Sequence, residues 1–253
     1  MRADLEVLPS ADALTDAAGG RFVAAAGDAI HARGQFVVAL SGGSTPRRAY
    51  ERLASEPLVS RVMWSRVQVV WGDERCVPPD QAESNYRMAR DTLLDRVPVP
   101  AANVHRIHGE DDPSAAAASY EATMRALLNT PAGPPRAAPG ARIDLVLLGL
   151  GDDGHTASLF PGSAAAREQT RWVMAEYAAA ASMWRVTLTP AVINAAAEVL
   201  FLVSGIAKAG VVRRVLEGPR RPLELPAQAI APSSGRVRWC LDAAAAAELG
   251  TGS

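Results

Sequence analysis

The sequence predicts an α/β fold with a largely parallel sheet, and three observations lead there. Short apolar runs at 36–40 (FVVAL), 67–71 (VQVVW), 143–148 (IDLVLL) and 198–203 (EVLFLV) are rich in Val and Leu, as strands buried on both faces are. Longer stretches with helical spacing lie between them, and strands that alternate with helices pair in parallel. Each strong run also passes straight into a polar or glycine-rich loop.

Taken in order, residues 4–8 form a weaker strand candidate, as do 172–177, 183–188 and 236–240. Leu14, Ala18, Phe22, Ala26 and Ile30 recur every four residues and mark one face of a helix, although Gly19 and Gly20 oppose it. Residues 46–55, 82–95, 113–129, 205–216 and 241–248 also suit helices. The alanine runs at 115–118 and 243–247 read as helix filler. The segment Asn129–Arg142 carries four prolines and two glycines and is either a domain linker or a long surface loop.

With 253 residues, 49% of them hydrophobic, the chain has material for one large core or two small ones. A formal charge of −1 argues against a general nucleic-acid or anionic-membrane surface, so any positive charge that binds an anion must be local. Two distant cysteines, Cys76 and Cys240, favour a reducing compartment. The N-terminus has acidic residues where a signal peptide needs basic and then apolar ones. No apolar run approaches the roughly 18 residues of a membrane span. These features predict a soluble, cytoplasmic protein.

Four loops follow the four strong strands: Ser41-Gly42-Gly43-Ser44-Thr45-Pro46, Gly72-Asp73-Glu74-Arg75, Gly149 to Thr156, and Ser204-Gly205 with Lys208 one turn later. In a parallel sheet they share the carboxyl edge, where open α/β sheets bind ligands. In the first loop, Ser44 or Thr45 can cap the following helix, with Pro46 at its first position. Such a helix start is a ready anion site, though an ordinary strand–turn–helix connection would look the same. No GK[ST] follows to make it a Walker motif. Gly149, Gly151 and Gly154 match G-x-G-x-x-G, but Asp152 and Asp153 would repel a pyrophosphate there, which speaks against a nucleotide cofactor.

His155 follows an Asp-Gly pair at a strand mouth. There a carboxylate can orient it for general-base work, unless it is a hydrogen-bonded structural histidine. His105 and His108 sit three apart, which on a strand puts their rings on opposite faces and disfavours a shared metal. The acids after them open a helix at Pro113. No serine lies in a G-x-S-x-G elbow, and Cys76, beside Arg75, has no evident base partner.

Together the stretches LSGGSTP (40–46), WGDER (71–75), ESNY (83–86), HRIHGE (105–110), DLVLLGLGDDGHTASLFPG (144–162) and VSGIAKA (203–209) resemble the 6-phosphogluconolactonase family. That family lies within the wider group that contains glucosamine-6-phosphate deaminases. The resemblance implies one domain over 1–253, a three-layer Rossmann-like α/β fold with a mainly parallel sheet flanked by helices. It implies hydrolysis of a phosphosugar lactone, 6-phospho-D-glucono-1,5-lactone, with no cofactor; the histidine spacing adds the expectation of no metal, and the charge and hydropathy that of no nucleic-acid or membrane partner. His155 would activate water, with Asp153 of the same motif among the catalytic residues. Asp73 and Arg75 would line the site near the lactone. Gly42, Gly43, Ser44 and Thr45 would hold the phosphate, helped by Lys208 and Arg185. The related deaminases carry a glutamate five residues after the histidine, where this chain has Phe160. The competing functions are that deaminase and a non-catalytic sugar-phosphate sensor. A sensor would normally carry a DNA-binding helix-turn-helix, for which a fold beginning within ten residues leaves no room.

Overall fold

The computed structural model describes residues 4–131, 133–136 and 138–250. Six parallel strands form the main sheet: β1 (Asp4–Leu8), β2 (Phe36–Leu40), β3 (Val67–Trp71), β5 (Leu145–Leu148), β8 (Glu198–Val203) and β9 (Arg236–Asp242), between which β4, β6 and β7 follow in the chain. Their spatial order is β1-β9-β8-β5-β2-β3. Every residue of β2, β5 and β8 is buried, as apolar runs require of strands covered on both faces; Glu198, which opens β8, pairs with Arg21 at 2.6 Å. The three-layer α/β arrangement expected from the sequence is therefore present. A second, antiparallel sheet of three strands joins β4 (Asp73–Arg75), β7 (Met183–Leu188) and β6 (Val173–Ala178) in that order.

The first helix, α1 (Ala11–Arg33), starts where the Ser10 hydroxyl accepts the Ala13 N–H at 3.2 Å, and stops at Gly34. Its predicted face is real: Leu14, Ala18, Phe22 and Ala26 are buried, and α1 packs on β9, β2 and β1. Helix α2 (Ser44–Leu53) packs on α1, and α3 (Asn85–Thr92) leads away from β4. Helix α4 (Pro113–Leu127) is capped by the Asp112 carboxylate, which accepts from Ser114 and Ala115 N–H, and covers β6 and β7. The helices α5 (Ala164–Arg167) and α6 (Pro190–Ile193) are single turns, and α7 (Ala209–Leu216) follows β8. None of the described helices is long and apolar enough to cross a membrane.

Most helix ends fall two to four residues from expectation, the strands expected at 172–177 and 236–240 are Val173–Ala178 and Arg236–Asp242, and two differences have a physical reason. Strand β5 starts two residues later than predicted: at its threshold the Asp144 carboxylate takes the Val37 N–H at 2.9 Å in place of a backbone carbonyl, while the Asp144 carbonyl accepts the Glu198 N–H at 3.1 Å. No helix forms over 241–248. Pairing with β8 and β1 carries β9 through Asp242, and residues 243–248 make only turns. Sheet pairing takes the first two residues of the predicted helix, and the alanine run that is left makes only turns despite its helix preference. Within Asn129–Arg142 the described residues form turns, held to α4 by a 2.9 Å bond from Arg125 Nη1 to the Gly133 carbonyl. Ala132 and Ala137 lie outside the described residues. Leu128 and Ile143, on either side, belong to one hydrophobic cluster.

Candidate active site

The strand order reverses between β2 and β5. From β2 the chain goes on to the neighbouring β3, whereas from β5 it reaches β8 on the opposite side. Loops leaving two such strands diverge and open a crevice at their carboxyl ends. A cavity of about 350 Å³ lies there, lined from all four predicted loops, by Ser41 to Pro46, Asp73, Arg75, Gly149 to Asp152, His155, Ser204 and Lys208 among others.

One end of this cavity suits an anion. Gly43 is the N-cap of α2 at φ 107°, a left-handed conformation that residues with a Cβ rarely adopt. Ser44 and Thr45 therefore do not cap the helix as expected; they form its first turn, with Pro46 third. No side chain accepts from the cap position, so the positive helix end keeps free N–H groups beside the cavity. The Tyr50 hydroxyl anchors the loop by accepting the Ser41 N–H and donating to the Ser41 carbonyl, each at 2.9 Å. Across the cavity, Lys208 Nζ donates to Asp152 Oδ1 at 2.5 Å. Asp152 has an 82% exposed side chain, so this pair is a surface one that an arriving anion can replace. The Asp242 carboxylate fixes the lysine's loop by accepting from the Ser204 hydroxyl and the Gly205 N–H.

At another wall stands His155. Its Nδ1 lies 2.6 Å from Asp153 Oδ1, which also accepts the His155 backbone N–H at 3.0 Å. An acceptor at Nδ1 selects the tautomer protonated there and leaves the Nε2 lone pair free as a base. Burial alone would raise the Asp153 carboxyl. The His155 N–H and ring outweigh it and hold the group below the usual carboxylate range. Gly151 makes room for the ring: a Cβ there would sit 2.0 Å from His155 Nδ1. The Phe160 ring packs against the imidazole with centroids 5.0 Å apart.

Asp73, only 6% exposed, enters from the antiparallel sheet. Its Oδ2 accepts from the Ser158 hydroxyl at 2.7 Å and its Oδ1 from Asn85 Nδ2 at 3.1 Å. Ser158 is turned toward it by a tight bend in which Thr156 bridges Leu159 and Ala157 takes a left-handed φ of 49°. Arg75 Nη1 donates to the Glu83 carbonyl, while its Nε is buried without a partner. Glu74 points away and caps α3, accepting the N–H groups of Asn85 and Tyr86 at 2.7 Å each. Burial pushes its carboxyl up, against the pull of those amides.

The sequence-predicted residues divide accordingly. Gly42, Gly43, Ser44, Thr45, Asp73, Arg75, His155 and Lys208 line one cavity, and Asp153 touches it through His155. Arg185 does not line it. It stands opposite Arg75 on β7, where burial and then the Arg75 charge pull its pKa down. Asn85, Ser158, Asp152 and Asp242 are structural partners that motif reading left unassigned. Cys76 is no activated thiol: burial, then the Glu74 charge, pushes it up to about 11. His105 Nε2 meets Gln68 Oε1 at 2.8 Å, and His108 lies near Glu110 instead. Both histidines line a separate, larger cavity of about 520 Å³ beside α3 and α4 that includes none of the glycine loops. Among the described residues no three His, Cys, Asp or Glu side chains group as metal ligands.

The family model described as glucosamine-6-phosphate isomerases/6-phosphogluconolactonase matches residues 9–239. The 6-phosphogluconolactonase of Nostoc sp. is 40% identical over 252 residues, which span 98% of this chain and 99% of that protein. The 6-phosphogluconolactonase of Mycobacterium tuberculosis is 39% identical over 258 residues, again 98% and 99% of the two chains. Among solved structures, 6-phosphogluconolactonase from Trypanosoma cruzi superimposes with a TM-score of 0.85 at 32% identity, covering 98% of this chain and 97% of that one.

Proposed function

This chain belongs to the glucosamine-6-phosphate isomerase/6-phosphogluconolactonase family, and we propose that it hydrolyses 6-phospho-D-glucono-1,5-lactone to 6-phospho-D-gluconate, the second step of the oxidative pentose phosphate pathway. One observation carries this: a single cavity holds an oriented imidazole with a free Nε2 and, elsewhere on its wall, a helix N-terminus with a lysine. The first can activate water and the second can hold a phosphate.

In this mechanism the phosphate displaces Asp152 from Lys208 and is held by the lysine, the first-turn amides and the Ser44 and Thr45 hydroxyls. Binding that remote group fixes the lactone so that C1 faces the water beside His155. His155 Nε2 takes a proton from the water as its oxygen attacks C1. Arg75 stabilises the negative charge that develops on the carbonyl oxygen. As the C1–ring oxygen bond breaks, the imidazolium returns its proton to the leaving oxygen. Asp73, restrained by Ser158 and Asn85, keeps lone pairs for sugar hydroxyls. The acid and base are both the imidazole, so the reaction calls for no metal and no organic cofactor. The protein acts as one domain in the cytoplasm on a small molecule, with no nucleic-acid or membrane partner.

The family's other activity, aldose–ketose isomerisation with ammonia release, is disfavoured by Phe160. A phenyl ring beside the imidazole can exclude water but can neither move a proton nor orient the ring by hydrogen bonding. The test is an assay with freshly made 6-phosphogluconolactone, corrected for spontaneous hydrolysis, beside ammonia release from glucosamine 6-phosphate, each repeated with a chelator. Rapid, chelator-resistant lactone hydrolysis without ammonia is expected. Ammonia release at about 1 s⁻¹ or faster would favour the deaminase, and activity on neither substrate the sensor.

A further inference from the structure

We infer that Asn85 is a positioning residue for this reaction, holding the Asp73 carboxylate in register with the phosphate-binding loop; this rests on the role given to Asp73 above. Asn85 is 2% exposed and begins α3. Its Nδ2 donates twice to one residue, to the Asp73 carbonyl at 2.9 Å and to Asp73 Oδ1 at 3.1 Å. The backbone N–H of Asn85 is tied to Glu74 Oε1 at 2.7 Å, so the amide is anchored at its base as well as its tip.

The other side of the same amide meets the first loop. A Cβ on Gly42 would lie 2.0 Å from Asn85 Oδ1 and 2.7 Å from its Cγ, so the absent side chain at 42 is the space the amide occupies. Asn85 Oδ1 is buried there with no hydrogen-bond partner. A buried acceptor left unpaired is unfavourable, and a side chain chosen for packing alone would avoid it. What the amide uniquely offers at this point is a neutral, two-proton donor to Asp73. With Ser158 on Oδ2 and Asn85 on Oδ1, the carboxylate is restrained from rotating or withdrawing.

The decisive variant is Asn85→Asp, which keeps the shape and makes donation depend on pH. When protonated, the new carboxylic acid can donate to Asp73 Oδ1 as the amide did. When ionised, it sets two buried carboxylates against each other, which raises the pair's upper pKa. The ratio of kcat/KM for this variant to that of the wild type should therefore be highest in acid and fall with rising pH, by on the order of 10²-fold overall, the effect of a misplacement of about 1 Å in the site. Asn85→Ala should lose a similar factor with a ratio independent of pH. Circular dichroism at each pH checks that the variants stay folded. A flat ratio for folded Asn85→Asp would overturn the inference.

Should Asn85→Asp not fold, the double-mutant cycle with Asp73→Asn decides. If Asn85 acts through Asp73, Asn85→Ala costs little once Asp73 is gone. Full additivity would overturn the role of Asn85 alone. A wild-type kcat/KM in Asp73→Asn would instead remove the function given to Asp73, and the inference with it.

Discussion

Substituting Gly151 by alanine isolates the placement of His155 from everything else in its loop. Gly151 does not have a left-handed φ, so its backbone conformation is open to alanine, and its N–H bond to the His155 carbonyl at 2.8 Å survives the change. The added methyl, however, falls 2.0 Å from His155 Nδ1 and 2.1 Å from Cε1, inside the imidazole. To reach ordinary contact the ring must retreat by about 1.4 Å, which breaks its 2.6 Å bond to Asp153. Misplacement by about 1 Å typically costs on the order of 10²-fold, or about 2.7 kcal/mol in the barrier. Gly151→Ala should thus lower kcat by at least that factor, with KM nearly constant because the phosphate end is untouched. Steady-state hydrolysis at saturating lactone measures it, with thermal unfolding as the control for stability. In a His155→Ala background the same glycine change should have almost no effect, since no ring is left to displace. A near-normal kcat in Gly151→Ala would refute the claim that this imidazole must stand where the structure puts it.

Removing the lysine in Lys208→Ala deletes a charge-assisted contact of about 1.5–3 kcal/mol, so KM should rise roughly 10- to 150-fold at nearly constant kcat. Unphosphorylated gluconolactone should be a correspondingly poor substrate, and equal efficiency on both lactones would remove the phosphate site. On the acid side, kcat/KM should fall with a single-proton slope, because the mechanism uses one general base. Asp153 adds no second proton there: its depressed carboxyl keeps its charge until the pH drops below the usual carboxylate range. A two-proton slope in a pH–rate profile would contradict this.

How much was legible in the sequence followed from where the signal is dense. The β2 run is uniformly apolar, and the β8 run is so after Glu198, because both faces are covered, so their ends could be read to the residue. The glycine-rich loops after them announced a ligand edge through composition alone. Short polar elements were silent. The strand β4 is Asp-Glu-Arg, with no alternation to reveal it, and its partner β7 lies more than a hundred residues away. Capping was misassigned to Ser44 or Thr45 because hydroxyl residues lead at caps; the φ of Gly43 that reserves the place for glycine is a property of the folded loop. Asp152 counted in the sequence against a pyrophosphate, and only the fold shows that Lys208 stands opposite it. For Asn85 and Ser158 the signal was present in ESNY and in the stretch after His155. Nothing in their residue type, though, tells a structural amide or hydroxyl from one that restrains a carboxylate.

The second sheet explains why the site sits where it does. A parallel sheet alone supplies loops at one edge, and those loops carry the anion end and His155. Asp73 comes from a chain that has just left that sheet. Gly72 is the crossing point: its N–H donates to the Leu40 carbonyl at the end of β2, and its carbonyl accepts from Leu188 at the end of β7, each at 2.8 Å. One peptide step therefore fixes the carboxylate of Asp73 relative to both the phosphate loop that follows Leu40 and the antiparallel sheet. Ser158 repeats the tie from the other side, with its N–H on Thr187 Oγ1 of β7 and its hydroxyl on Asp73. On the proposed function, the substrate would thus be gripped at a seam between two hydrogen-bonded sheets. The groups proposed to stay in place as the lactone opens are held from each side, while Lys208, paired with an exposed aspartate, would be free to meet the phosphate.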